Sequence, residues 1–255
     1  MIAIIGYGQI GKGLSEALNN PNTLVIDPGQ DHPVPEISPY IDVMHICFPP
    51  GEGGEFKWDV NWYIDHFNPA LTIIHSSVIP GETRRIQEGK PEAHIVYSPV
   101  RGRHSRMSRD IKHYTKFLGA VNIESSKKAA AYFKDAGIKT HIFSNPETPE
   151  LVKLLDNLYY AWDSIYHDFI ADSCEKYGVQ FTDWQLFNKS YNEQVVQIPG
   201  REDHMRSVLE PPKGKLGGTC LWENAWLLSH DFDHKVLDHI VKFDPEKLER
   251  AKAEA

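Results

Sequence analysis

The chain opens with residues 1–27, MIAIIGYGQIGKGLSEALNNPNTLVID, and the reading of this stretch decides the fold. MIAII is a short apolar run suited to a buried strand, GYGQIGKG is a glycine turn, and LSEAL continues as a helix. Gly6, Gly8 and Gly11 stand in GxGxxG spacing. The first glycine permits a tight turn, the second lets the backbone approach a pyrophosphate, and the third lets the helix pack closely on the strand while its N-terminus faces the anion. Gln9 and Ile10, between the last two glycines, join them as expected cofactor contacts. TLVID follows as a second strand ending in Asp27, about 20 residues beyond the turn, where an acid accepts from a ribose 2′-OH. Its carboxylate repels a 2′-phosphate, and no Arg or Lys follows in PGQDHPVPE. The expected cofactor is therefore NAD rather than NADP.

Strand-like runs recur at DVMHICF (42–48), LTIIH (71–75), AHIVY (93–97), KFLGAV (116–121) and KTHIF (139–143), with helix-like stretches between several of them. This alternation predicts an α/β fold with a parallel, doubly wound sheet. The segments FPPGEGGE (48–55) and HSSVIPGETRRI (75–86) follow two of the strands, at the sheet edge where ligands bind. Pro49, Ser76 and Ser77 are the candidate contacts there, with ordinary turn chemistry as the alternative. One basic stretch, SPVRGRHSRMSRDIKHYTK (98–116), carries Arg101, Arg103, Arg106, Arg109, Lys112 and Lys116. It reads as a solvated face, or as guanidinium forks that hold an anionic substrate, with Arg101 and Arg103 nearest the strand end.

A length of 255 residues with 41% apolar residues suits a globular protein with a sizeable core. The formal charge of -8 argues against nucleic acid or an anionic membrane as partner and leaves small molecules. No run approaches the roughly 20 apolar residues of a membrane span, and Met1 leads straight into the first strand, so a cytoplasmic protein without a leader is expected. Cys47, Cys174 and Cys220 are odd in number and lack CxxC spacing, which predicts reduced thiols and no structural metal.

The second half begins with a long helix from about Pro149 to Tyr177, ending at Gly178, in which Leu151, Leu154, Leu155, Leu158, Trp162, Ile165, Phe169 and Ile170 recur with helical period. Glu150, Lys153 and Asn157 project from one face. Glu150 and Lys153 read as a surface ion pair. The apolar company of Lys153 also suits a lysine whose pKa is lowered for proton transfer. Helix-like segments follow around 182–197 and 221–242, separated by a loop that leads into GKLGGTCLWENAWLL (214–228). Gly217 and Gly218 allow close backbone approach to a ligand, and Cys220 reads as a packed thiol, a pocket-lining residue or a nucleophile at a helix mouth. The resulting division is a nucleotide-binding domain over 1–146, a helical domain over 147–243 and a charged, frayed tail over 244–255. Apolar residues on more than one face of the long helix predict a homodimer.

Four stretches in order, IGYGQIGKGL, HSSVIPGETRRI, ELVKLLDNLYYAWDSIYHDFIADSCEKYG and KLGGTCLWENAWLL, resemble the UDP-glucose/GDP-mannose dehydrogenase family. The resemblance implies a Rossmann-type doubly wound sheet followed by a helical domain built on the long helix. It makes Cys220 the nucleophile of the GFGGSCFPKD-like signature, Lys153 the acid/base or oxyanion stabiliser, and Asn157 its companion. Departures are as informative: Asn224 stands where the family has aspartate, Val100 where it has glutamate, and Lys215 where the signature has its first glycine. The chain is also short for the family and stops before the domain that holds the nucleotide of a nucleotide sugar. The resulting expectation is an NAD-dependent oxidoreductase acting on an alcohol of a sugar-like or hydroxy-acid anion, through an aldehyde to the acid if Cys220 is the nucleophile. The alternatives are a two-electron β-hydroxyacid-type dehydrogenase using Lys153 and Asn157 alone, and a non-catalytic NAD- or sugar-binding module. Glu150, Gly217 and Gly218 join Arg101 and Arg103 as candidate substrate contacts, and Asn224 joins Cys220, Lys153 and Asn157 as catalytic candidates.

Overall fold

A computed structural model describes residues 1–51 and 56–254; positions 52–55 of the expected crevice loop lie outside the described residues. The chain divides into two compact units, Met1–Lys153 and Leu154–Ala255, with the division inside the long helix.

The first unit runs β1 (Ile2–Ile5), α1 (Gln9–Leu18), β2 (Thr23–Ile26), β3 (Val43–Ile46), α2 (Phe56–Phe67), β4 (Leu71–Ile74), α3 (Glu82–Gly89), β5 (Ile95–Tyr97), α4 (Met107–His113), β6 (Lys116–Leu118), α5 (Ile123–Asp135) and β7 (Thr140–Ile142). β1 to β5 form one parallel sheet in the order β2-β1-β3-β4-β5. Side chains alternate across a strand, so Ile2 and Ile4 enter one apolar cluster with Leu14, Ile73 and Phe133, while Ala3 and Ile5 enter the other with Met44, Ile74 and Ile86. Both faces are thus buried, which is why these strands are unbroken apolar runs. Each fully covered isoleucine contributes roughly 1.5–3 kcal/mol.

The sheet differs from the sequence expectation at its end. β6 and β7 pair with each other in a separate parallel ladder, and an antiparallel bridge between Tyr97 and Gly119 ties them to β5. The helix expected over 221–242 is also two helices.

The long helix α6 spans Glu147–Tyr177. It stops because Gly178 takes φ +66°, with Val179 N–H donating to the Cys174 carbonyl and Gly178 N–H to that of Glu175. The second unit adds α7 (Phe181–Val195), α8 (Thr219–Ser229), α9 (Lys235–Lys242) and α10 (Pro245–Glu254). Leu154, Leu158, Ala161 and Ile165 of α6 meet Trp222, Ala225 and Leu228 of α8 and Leu237, Ile240 and Val241 of α9. The segment expected as a frayed tail is helix α10, anchored by buried Ala251 with Leu248 packed beside it. Its apolar positions lie three apart, a helical spacing that the density of charge in PEKLERAKAEA conceals. No helix among the described residues is long and apolar enough to cross a membrane.

Gly11 sets the seam between α1 and the turn before it: a Cβ there stands 2.0 Å from the Gly6 carbonyl oxygen, whereas one at Gly8 meets nothing within 4 Å. Gly11→Ala is therefore expected to destabilise the chain by about 1–3 kcal/mol in urea unfolding, and Gly8→Ala to leave the midpoint nearly unchanged.

Candidate functional site

A cleft of about 500 Å³ opens at the carboxyl edge of the first sheet, lined among others by Gly6, Gly8, Asp27, Phe48, Pro49 and Trp62. Gly6 has φ +89° and passes so close to the β3 exit that a Cβ would lie 2.6 Å from the Phe48 nitrogen. Gly8 is the N-cap of α1. Gln9, Ile10 and Gly11 form the first turn of that helix, whose free N–H groups favour an anion. Asp27 follows β2, and its Oδ2 accepts from Tyr7 N–H at 2.7 Å and from Gln30 Nε2 at 2.8 Å. The turn and the acid are thereby locked together.

Three lining residues of α2, Asp59, Trp62 and Tyr63, escaped the sequence reading. The signal available was the aromatic run in FKWDVNWYIDHF, which places Trp58 and Trp62 one turn apart directly after the Gly-rich loop. Burial, then Asp59 and Asp27, push the Tyr63 hydroxyl above its ordinary pKa.

The loop after β4 is organised from within. Ser76 Oγ donates to the Phe48 carbonyl at 2.5 Å, so this hydroxyl ties two loops together; Ser77, next along, is half-buried. Glu150, expected as the surface member of an ion pair, is instead fully buried. Its carboxylate accepts from Gly81 N–H at 2.6 Å and from Thr83 N–H at 2.9 Å, at the N-terminus of α3. Burial raises it to about 7 against the pull of these donors. Glu150 thus fastens the VIPG loop to the first turns of the helix that carries Lys153, and Lys153 is half-buried one turn further on.

The basic stretch is neither uniformly solvated nor uniformly free to hold a substrate. The Arg101 guanidinium lies over the rings of Tyr114 and Phe117, at 5.3 and 5.8 Å. Asp110 accepts from Arg103 N–H at 3.0 Å, with Arg106 and Arg109 each at 3.7 Å, and its pKa is lowered chiefly by that backbone bond. The Arg103 side chain is exposed. Lys116, expected on the solvated face, is buried. Val100 is buried in the apolar cluster beneath the sheet.

In the second unit, α6 carries Asn157, half-buried, one turn beyond Lys153. The loop before α8 is held by Ser207 Oγ donating to Asp163 and by Lys213 N–H donating to Asp168, both at 2.7 Å. It ends at Gly217 and Gly218, whose backbones have nothing within 4 Å of a Cβ, and Gly218 takes φ +78°. Cys220 follows in the first turn of α8, half-buried. Asn224, one turn on, is buried, and its Nδ2 has no hydrogen-bond partner among the described residues.

A parallel sheet with buried faces, a glycine turn opening α1 and an acid after β2 define a Rossmann-type α/β fold. No protein-family model matches the chain. It is similar to the UDP-N-acetyl-D-mannosamine dehydrogenase of Methanococcus vannielii, 22% identical, with 89% of this chain and 57% of the relative covered. Among solved structures it shares the fold of the UDP-D-ManNAc dehydrogenase of Pyrococcus horikoshii, with a TM-score of 0.71, 18% identity, and coverage of 99% of this chain and 70% of that one. It also shares the fold of the 3-hydroxyisobutyrate dehydrogenase of Mycobacterium tuberculosis, with a TM-score of 0.67, 17% identity, and coverage of 96% and 92%. The chain spans about half the length of the curated relatives it matches. The resemblance carried by the four sequence stretches is thus met by sequence relatives and by fold.

Proposed function

We propose that the protein is an NAD-dependent dehydrogenase that oxidises the CH–OH group of a sugar-like or hydroxy-acid anion. The observation that carries this reading is the cleft itself: Gly8 leaves its backbone open beside the α1 N-terminus while Asp27, locked to the same turn, faces the cleft. These residues fit a dinucleotide, with Gly6 to Gly11 for the pyrophosphate, Asp27 for the ribose hydroxyls, and Pro49 with Trp62 along the wall. A bound nicotinamide supplies the hydride acceptor. Lys153 takes the proton of the substrate hydroxyl, and Asn157, one turn away, holds the oxygen. Arg101, Arg103, Gly217 and Gly218 are assigned to the anionic substrate, whereas Glu150 serves by holding the loop after β4.

Two stoichiometries divide the reading. If Cys220 attacks an aldehyde-level carbon, oxidation continues to the acid and releases two NADH. If Cys220 only lines the pocket, one NADH is released. The second course is favoured by Asn224 and Val100, which place no carboxylate at either position, and by the near-complete coverage of the 3-hydroxyisobutyrate dehydrogenase. We place the protein in the cytoplasm, on the odd number of Cys47, Cys174 and Cys220 and their lack of CxxC spacing. We also assign it a homodimer, since Tyr159, Trp162, Tyr166 and Phe169 stand exposed along α6.

Calorimetry is expected to show NAD binding more tightly than NADP, and Asp27→Ala to narrow the gap; equal affinity in the unaltered protein contradicts the assignment. If Cys220 attacks the aldehyde-level carbon, Cys220→Ser is expected to slow turnover by orders of magnitude with NAD affinity unchanged. Full activity and one NADH per substrate in that variant assign the chemistry to Lys153 and Asn157. Light scattering at micromolar concentration is expected to give twice the chain mass, and the mass of one chain refutes the dimer.

A further inference from the structure

The cleft holds a second carboxylate to which the proposed reaction gives no role. Asp59, Trp62 and Tyr63 stand three and four residues apart on α2, so they share one face of that helix, and this face lines the cleft that Asp27 and Gln30 line from the end of β2. The Trp62 ring stacks on His66 at 5.0 Å and 7° and meets Tyr63 edge-on at 5.0 Å, which fixes the face in place. Asp59 itself is exposed. After burial, Asp59 and then Asp27 push up the pKa of the Tyr63 hydroxyl, so both carboxylates act electrostatically on the same point of the cleft.

Asp27 spends Oδ2 on Tyr7 N–H and Gln30 Nε2, which leaves Oδ1 for ribose hydroxyls. Its charge is not the only one on that side. Lys12 of α1 holds its Nζ 3.4 Å from Gln30 Oε1 and 5.7 Å from the centre of the Tyr7 ring, one side chain removed from Asp27. A 2′-phosphate carries about -1.5 to -2 charge at pH 7, and a cation at this place attracts it. Lys12 thus offsets the repulsion that Asp27 exerts, a charge that the sequence beyond β2 does not reveal. Asp59 restores the negative sign. Lys57, two residues before it, is drawn instead over the Trp58 ring at 5.8 Å.

We propose that Asp59 is a specificity-determining residue: with Asp27 it forms a two-carboxylate filter against a 2′-phosphate, and it outweighs Lys12, so that NAD is accepted and NADP refused. The proposal rests on the dehydrogenase reading and goes further in one respect. Neutralising Asp27 alone narrows the gap between the cofactors without closing it, because Asp59 remains. The competing role for Asp59 is local, since a carboxylate in the first turn of α2 complements the helix dipole. That role moves stability and leaves cofactor choice alone.

The test is calorimetry on the full chain, with NADH titrated directly and NADPH in competition with it. Asp59→Asn, which keeps the shape and removes the charge, is expected to raise NADPH affinity relative to NADH by about three- to tenfold at low salt. Asp59→Glu is expected to keep the ratio of the unaltered protein, and Asp27→Asn combined with Asp59→Asn to raise it beyond either change alone. Adding Lys12→Met to Asp59→Asn is expected to cancel the gain. Because Asp59 is exposed, the gain is expected to shrink at 1 M salt, where the Debye length is about 3 Å. A ratio unmoved by Asp59→Asn, a ratio moved equally by Asp59→Glu, or a gain undiminished at 1 M salt overturns the proposal. Lower urea stability of Asp59→Asn with an unmoved ratio assigns the residue to the helix dipole. In each of these failures NADH still binds and the dehydrogenase reading stands, whereas an unaltered protein that binds neither dinucleotide removes both.

Discussion

The contact between Gly11 and the Gly6 carbonyl is the constraint on which the rest depends. With no room for a Cβ, α1 seats its first turn against the end of β1, and its free N–H groups face the opening that Gly8 leaves clear. Asp27 then closes the arrangement from β2 by accepting from Tyr7 N–H. A strand, a turn and a helix become a cleft because three side chains are missing at fixed spacing. The apolar clusters on both faces of the sheet hold that geometry rigid.

A second constraint links this cleft to the proposed chemistry. Glu150 sits in the first turns of α6 and spends both carboxylate oxygens on the loop after β4, so the position of Lys153 along that helix is referred to the VIPG loop. Burying a carboxylate is unfavourable unless it is hydrogen-bonded, and two backbone N–H groups supply that compensation. Ser76 continues the same logic by tying that loop to Phe48 at the β3 exit.

Much of this was legible in sequence, for local reasons. Glycine spacing, the place of Asp27 and the helical period of α6 with its stop at Gly178 are read within one element and its neighbours. What escaped depended on tertiary placement. Lys116 looked like one more charge in a basic run, yet its strand pairs with β7 and carries its amine beneath the sheet. Glu150 looked like a partner for Lys153 because i, i+3 spacing is visible in sequence, whereas the backbone donors of a loop about 70 residues earlier are not. Trp62 and Tyr63 were passed over because an aromatic helix face is usually core. Leu248 and Ala251 were hidden among charges.

The measurement that bears most directly on the central claim is a crystal structure of the chain grown with NADH. The account requires the pyrophosphate over Gly8 at the α1 N-terminus, with the adenosine ribose hydroxyls on Asp27. A dinucleotide bound elsewhere, or no dinucleotide at saturating concentration, would contradict it.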